Sequence, residues 1–132
     1  MRKLKGLILT LLISLSLFGF TACQGSVGGI TYEQITPQQA KTIMDTKQDY
    51  IIIDARTQEE FDEGHIEGAI MIPEYEIKNK AEKELPDKDA LILVYCRSGR
   101  RSKIASEELV KLGYTNVKEF GGIIDWPYEI VK

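Results

Sequence analysis

The run Ala90-Leu91-Ile92-Leu93-Val94-Tyr95 is apolar without a break. It gives way at once to Cys96-Arg97-Ser98-Gly99-Arg100-Arg101, and Ser102 opens a helix-patterned stretch. A continuous apolar run of this length, bounded by a glycine-containing turn and a helix, reads as a strand covered on both faces, as in parallel sheets. Tyr50-Ile51-Ile52-Ile53-Asp54 repeats the pattern, with Thr57-Gln58-Glu59-Glu60 forming a capping box just beyond it. Thr36-Pro37-Gln38-Gln39 is another such helix start, with Ile35 placed to staple against Ala40. Ala69 to Ile72 is a short strand, Glu74 to Leu85 a helix, Ile104 to Leu112 a helix stopped by Gly113, and Val117 to Phe120 a last strand. A short helix follows Gly121-Gly122 and is interrupted near Pro127. Strands alternating with helices predict an α/β domain with a central, mostly parallel sheet.

Open α/β sheets hold ligands beyond the carboxyl ends of their strands. Cys96 falls at such an end and faces a helix start, where free N–H groups and the helix dipole favour an anion. That anion can be the cysteine's own thiolate, the reactive form of the side chain. Arg97, Arg100 and Arg101, with Lys103 beyond, form a cationic rim in an otherwise acidic chain, suited to drawing in an anionic substrate.

The segment from Cys96 to Ser102 resembles the active-site loop of rhodanese-type sulfurtransferases. Asp54-Ala55-Arg56, Glu60-Phe61, Gly64-His65-Ile66-Glu67-Gly68-Ala69 and Ile72-Pro73 resemble the first half of that family's pattern. Leu109, Leu112-Gly113-Tyr114, Asn116-Val117, Gly121-Gly122 and Trp126 resemble its second half. The resemblance implies a single rhodanese-like α/β domain over residues 31–132. It implies that Cys96 takes a sulfane sulfur from a thiosulfate- or polysulfide-like donor, holds it as a persulfide and passes it to a thiol or cyanide-like acceptor. The amides of Arg97, Ser98, Gly99, Arg100 and Arg101 would cradle that sulfur, and no cofactor is implied. A sulfur carrier without turnover, or an interaction module on the same fold, is the rival reading.

Loop length separates this chemistry from a phosphatase or arsenate reductase of similar architecture. A phosphate-wrapping loop needs five residues between cysteine and arginine, the arginine clamping two oxygens. Here Arg101 follows after four, and Ser102 occupies the arginine's place.

Asp54 ends a strand at the same rim as Cys96. Paired with Arg56 it either braces the cradle or merely caps the strand. His65, the only histidine, reads as an anchor in the turn between helix and strand rather than a general base. One histidine and one available thiol are not a zinc ligand set, so no metal is expected.

Arg2, Lys3 and Lys5 precede an apolar stretch from Leu7 to Phe20, too short to span a bilayer and of the length of a signal-peptide h-region. Phe20-Thr21-Ala22-Cys23 resembles a lipobox. The expected organisation is a lipoprotein signal peptide over 1–22, lipidated Cys23 with a flexible tether over 23–30, and the domain over 31–132. An ordinary secretory signal with an incidental cysteine is the alternative, and with it a Cys23–Cys96 disulfide becomes conceivable. Lipidation implies an extracytoplasmic domain anchored to a bacterial membrane, periplasmic or at the cell surface. Without the signal, 14 basic side chains face 20 acidic ones. That balance argues against nucleic-acid binding and against electrostatic membrane attachment.

Overall fold

The computed structural model describes Gly29 and residues 31–132; the expected signal peptide, the expected lipidation of Cys23 and most of the expected tether fall outside the described residues. Among the described residues, five parallel strands form one sheet: β1 (Glu33–Gln34), β2 (Ile51–Asp54), β3 (Ile70–Met71), β4 (Ile92–Cys96) and β5 (Val117–Gly122). Their spatial order is β1-β5-β4-β2-β3. The two apolar runs thus lie side by side in the middle, where both faces are covered. Two-residue strands close each edge and offer little ladder for unwanted pairing.

Helices cover the two faces in separate layers. On one, α3 (Ile77–Glu84) and α4 (Arg100–Lys111) bury Ile77, Ala81, Ala105 and Leu109 against Ile53, Ile92, Val94, Cys96 and Val117. On the other, Ala40 of α1 (Pro37–Thr46), with Ile66 and Trp126, packs on Ile52, Leu93, Tyr95 and Phe120. Strand alternation therefore sends Cys96 and its neighbour Tyr95 to opposite faces.

Both expected capping boxes form. Thr36 Oγ1 accepts from the Gln39 amide and Gln39 returns the bond. Thr57 and Glu60 do the same for α2 (Gln58–Glu63). The expected continuous helix from Glu74 to Leu85 is instead a 3-10 turn at Glu74–Glu76 followed by α3. The Glu74 amide donates to Ala55 O, a tertiary tie that holds this segment against β2's exit and delays regular helix until Ile77. The last strand runs two residues past Phe120, because Gly122 still pairs with Cys96. The short helix after it is a 3-10 turn at Ile123–Asp125.

Candidate active site

Cys96 ends β4 and is 1% exposed. Its Sγ accepts the Gly99 N–H at 3.0 Å. Gly99 caps α4 with φ 107°, a left-handed conformation open to glycine with little strain. The turn brings the helix N-terminus onto the sulfur, so the first unpaired amides and the positive end of the dipole lie beside it.

Gly122 makes the turn possible from the sheet side. A Cβ there would sit 2.0 Å from Arg97 O and 2.5 Å from Ser98 Cα, both backbone atoms that cannot swing aside. The Ile124 amide ties the same Arg97 carbonyl at 3.2 Å. Gly122→Ala is therefore expected to cost at least about 2 kcal/mol in thermal or denaturant unfolding and to displace the loop. An unchanged unfolding midpoint would show that the loop does not depend on this close approach.

The expected cationic rim divides into two kinds of arginine. Arg97 and Arg100 are exposed. Arg101 instead gives both terminal nitrogens to Glu60, at 2.7 Å each, across 41 residues of sequence. Its charge is largely committed to bracing the loop against α2, not left free for a ligand. The hydrogen bonds and the charge of Glu60 hold the Arg101 guanidinium above its ordinary value.

The Arg101 bonds, aided by Thr57, hold the Glu60 carboxyl well below the ordinary 4.5, at about 2. A depressed carboxyl stabilises the fold fully above its unfolded value and loses that contribution as pH falls through its folded one. Glu60→Gln should therefore be less stable than the native chain at neutral pH. The gap should close between about pH 4.5 and pH 2. Denaturant midpoints measured across that window test it; a constant gap would assign the loss to packing instead.

Asp54 and Arg56 lie at the same end of the sheet as Cys96 but serve its other face. The Arg56 Nη2 donates to Asp54 Oδ2 at 2.7 Å and to Gly64 O at 2.6 Å. Tyr95 Oη donates to Asp54 Oδ2 at 2.6 Å and accepts the Ile66 amide at 3.1 Å. Burial first, and the Asp54 charge second, push the Tyr95 phenol well above its ordinary range, so it stays a donor. None of these side-chain bonds reaches Cys96 or the loop residues. Support for the loop passes only through the chain, because Tyr95 directly precedes Cys96.

His65 stacks on Phe61, its Nδ1 2.9 Å from Phe61 O, and its backbone bridges Val131. These contacts anchor the turn. Trp126 is buried against Phe120.

Two side chains at the sulfur were not singled out as site residues in the sequence. Ser102 Oγ lies 3.3 Å from Cys96 Sγ and 2.6 Å from Glu119 Oε1. Glu119, only 3% exposed, also takes the Gly121 amide at 2.8 Å. The available signal was alternation: two residues after buried Val117, Glu119 must face the same side as α4.

A parallel α/β sheet with a cysteine between a central strand and a helix N-terminus places that cysteine where open α/β sheets bind their ligands. The rhodanese-like domain family model matches residues 36–127, and the chain belongs to that family. It is 42% identical over 80 residues to the thiosulfate sulfurtransferase PspE of Escherichia coli K12, covering 61% of this chain and 77% of that protein. A putative sulfur carrier protein of Bacillus subtilis, YrkF, is 33% identical over 94 residues, covering 70% of this chain but only half of that one. The solved structure described as rhodanese with anions from E. coli superposes with a TM-score of 0.59 at 40% identity, covering 63% of this chain and 98% of that one. The chain is a rhodanese-type enzyme, a sulfurtransferase in the broad sense. Its sheet and flanking helices match the fold expected from the sequence.

Proposed function

We propose that the protein moves a sulfane sulfur from a thiosulfate- or polysulfide-like donor to a thiol or cyanide-like acceptor through a persulfide on Cys96. The observation that carries this reading is the Gly99 N–H on Cys96 Sγ at the start of α4. Thiolate Sγ attacks the outer sulfur of thiosulfate, the sulfur–sulfur bond of the donor breaks, and sulfite leaves with the bonding pair. The negative charge then rests on the outer sulfur of the persulfide. An acceptor thiolate or cyanide attacks that sulfur and Sγ leaves as thiolate, so the cycle needs neither redox partner nor metal. Arg97 and Arg100, exposed at the loop, supply the field that gathers an anionic donor. In this reading Arg97 through Arg101 form the persulfide cradle, with Asp54 and Arg56 as its remote support. The thiosulfate sulfurtransferase name of the E. coli relative supports the donor class.

Mass spectrometry after thiosulfate treatment, then after cyanide, tests the reading. A one-sulfur increment on the Cys96 peptide, removed by cyanide with thiocyanate release, is the expected result. No increment sinks it. An increment that cyanide leaves in place favours the second reading, a carrier without turnover, to which the similarity with the putative sulfur carrier protein points.

The organisation read from the N-terminus belongs to the same proposal: a signal peptide over 1–22, lipid on Cys23, and an extracytoplasmic domain held at a bacterial membrane. Labelled palmitate incorporation that is lost in Cys23→Ala checks it.

A further inference from the structure

Trp126 and Tyr128 form one wall of a cleft on the sheet face opposite Cys96. The two rings meet edge to face, their centroids 4.9 Å apart. Tyr50 and Ile66 line the same cleft, whose volume is about 770 Å³. Pockets that take small organic molecules span roughly 300–1,000 Å³. The aromatic wall is held in place from several sides. Trp126 packs on Phe120 and its Nε1 donates to Glu129 O at 3.4 Å. Just beyond, His65 and Val131 exchange backbone hydrogen bonds at 2.8 Å each.

The cleft already receives one cation, and the chain itself supplies it. Lys41 Nζ lies 5.5 Å from the Tyr128 ring centroid, within cation–π range, and pairs with Asp45 one turn along α1. Glu67 and Glu129 also line the cleft, and both are exposed. Neither forms an ion pair among the described residues. With Lys41 answering Asp45, two carboxylates are left over beside rings whose faces attract cations. A metal ion does not suit this lining, because no three carboxylate, imidazole or thiolate groups among the described residues come together to hold one. Ammonium groups on an apolar stem do suit it: their charges meet carboxylates while the methylenes lie on the rings.

We propose that this cleft binds a linear alkylamine cation of the polyamine class, at a site separate from sulfur transfer. The ammonium groups of the ligand pair with Glu67 and Glu129, and its carbon chain covers Tyr50, Trp126 and Tyr128. Lys41 is the resident competitor, since its own ammonium occupies the face of Tyr128. Cys96 and its loop take no part.

Trp126 is the only tryptophan in the sequence, so tryptophan fluorescence reports this cleft alone. The full chain in detergent is titrated with spermidine at low ionic strength, with sodium chloride of matched ionic strength as control. A saturable change below about 10 mM is expected. Glu67→Gln combined with Glu129→Gln is expected to weaken binding at least about fivefold, the loss of one close charge pair even at the dielectric of bulk water. Tyr128→Leu is expected to weaken it at least about twofold. Lys41→Met, which keeps the stem and removes the competing ammonium, is expected to tighten it at least about twofold. No saturation, an equal response to sodium chloride, or an affinity indifferent to Tyr128 and Lys41 overturns the inference. So does a trilysine peptide binding more than about tenfold tighter than spermidine, which assigns the cleft to a basic segment of a partner protein. Where Tyr128→Leu does not fold, two diamines of equal charge decide on the unmodified chain. Octamethylenediamine is expected to bind at least about threefold tighter than tetramethylenediamine, because its longer stem covers more of the rings. Equal affinities reduce the effect to surface charge and overturn the site.

Discussion

Cys96→Ser is expected to reduce sulfur transfer by at least about a thousandfold while leaving the domain folded. Transfer requires an anionic sulfur nucleophile that can form and break a sulfur–sulfur bond, and a serine hydroxyl at neutral pH is neither ionised nor able to carry sulfur. The substitution is nearly isosteric, and Ser Oγ can still accept the Gly99 amide that Sγ accepts at 3.0 Å. The neighbouring core of Val94, Ala105 and Leu109 is untouched. Thermal unfolding should therefore shift by no more than about 5 °C, roughly 1 kcal/mol for a domain of this size. Thiocyanate formation followed in parallel with unfolding checks both halves. Substantial residual transfer in the serine variant would move the reacting group elsewhere.

The largest stability effect is expected at the opposite face of the same sheet end. Asp54 is fully buried and Arg56 nearly so, and the pair is joined by three side-chain hydrogen bonds. Arg56→Ala leaves a buried carboxylate with only Tyr95 and the local backbone, and also strips a donor from Gly64 O. Breaking a buried pair from one side typically costs about 3–5 kcal/mol, since the surviving charge keeps its desolvation penalty and loses its partner. Arg56→Lys should recover only part of this, because one ammonium cannot reproduce the planar fork that meets both Asp54 oxygens. Denaturant midpoints at neutral pH measure it. A loss below about 1 kcal/mol would mean that water enters and solvates Asp54. Transfer activity in whatever folded fraction remains should fall far less than in Cys96→Ser, because no side-chain bond links this pair to the cysteine loop.

Near-neighbour chemistry was readable along the chain. Thr36 with Gln39 and Thr57 with Glu60 meet across three residues, and helix starts of that kind depend on little beyond themselves. The runs ending at Asp54 and Tyr95 announced central strands because every residue had to be buried. β1 carried no such mark: Glu33 and Gln34 are exposed, and only their backbone joins β5. Arg101 shows the limit most sharply. Its place in a basic loop predicted a free cation, yet nothing in the sequence pairs it with Glu60, which reads there as the closing residue of a helix cap and as part of the family-like pattern.

The chain's own order therefore determined the strand–loop–helix unit that carries Cys96, since hydrophobic period, caps and glycine position act over a few residues. What surrounds the sulfur was decided only when β4 and β5 came into register and α2 and α4 packed near the strand ends. That assembly put Gly122 under Arg97, Glu119 behind Ser102, and Glu60 against Arg101. Hydrogen bonds and charges act over a few ångströms of space, whatever the separation along the chain, so partners 17 and 41 residues apart become legible only in the folded molecule.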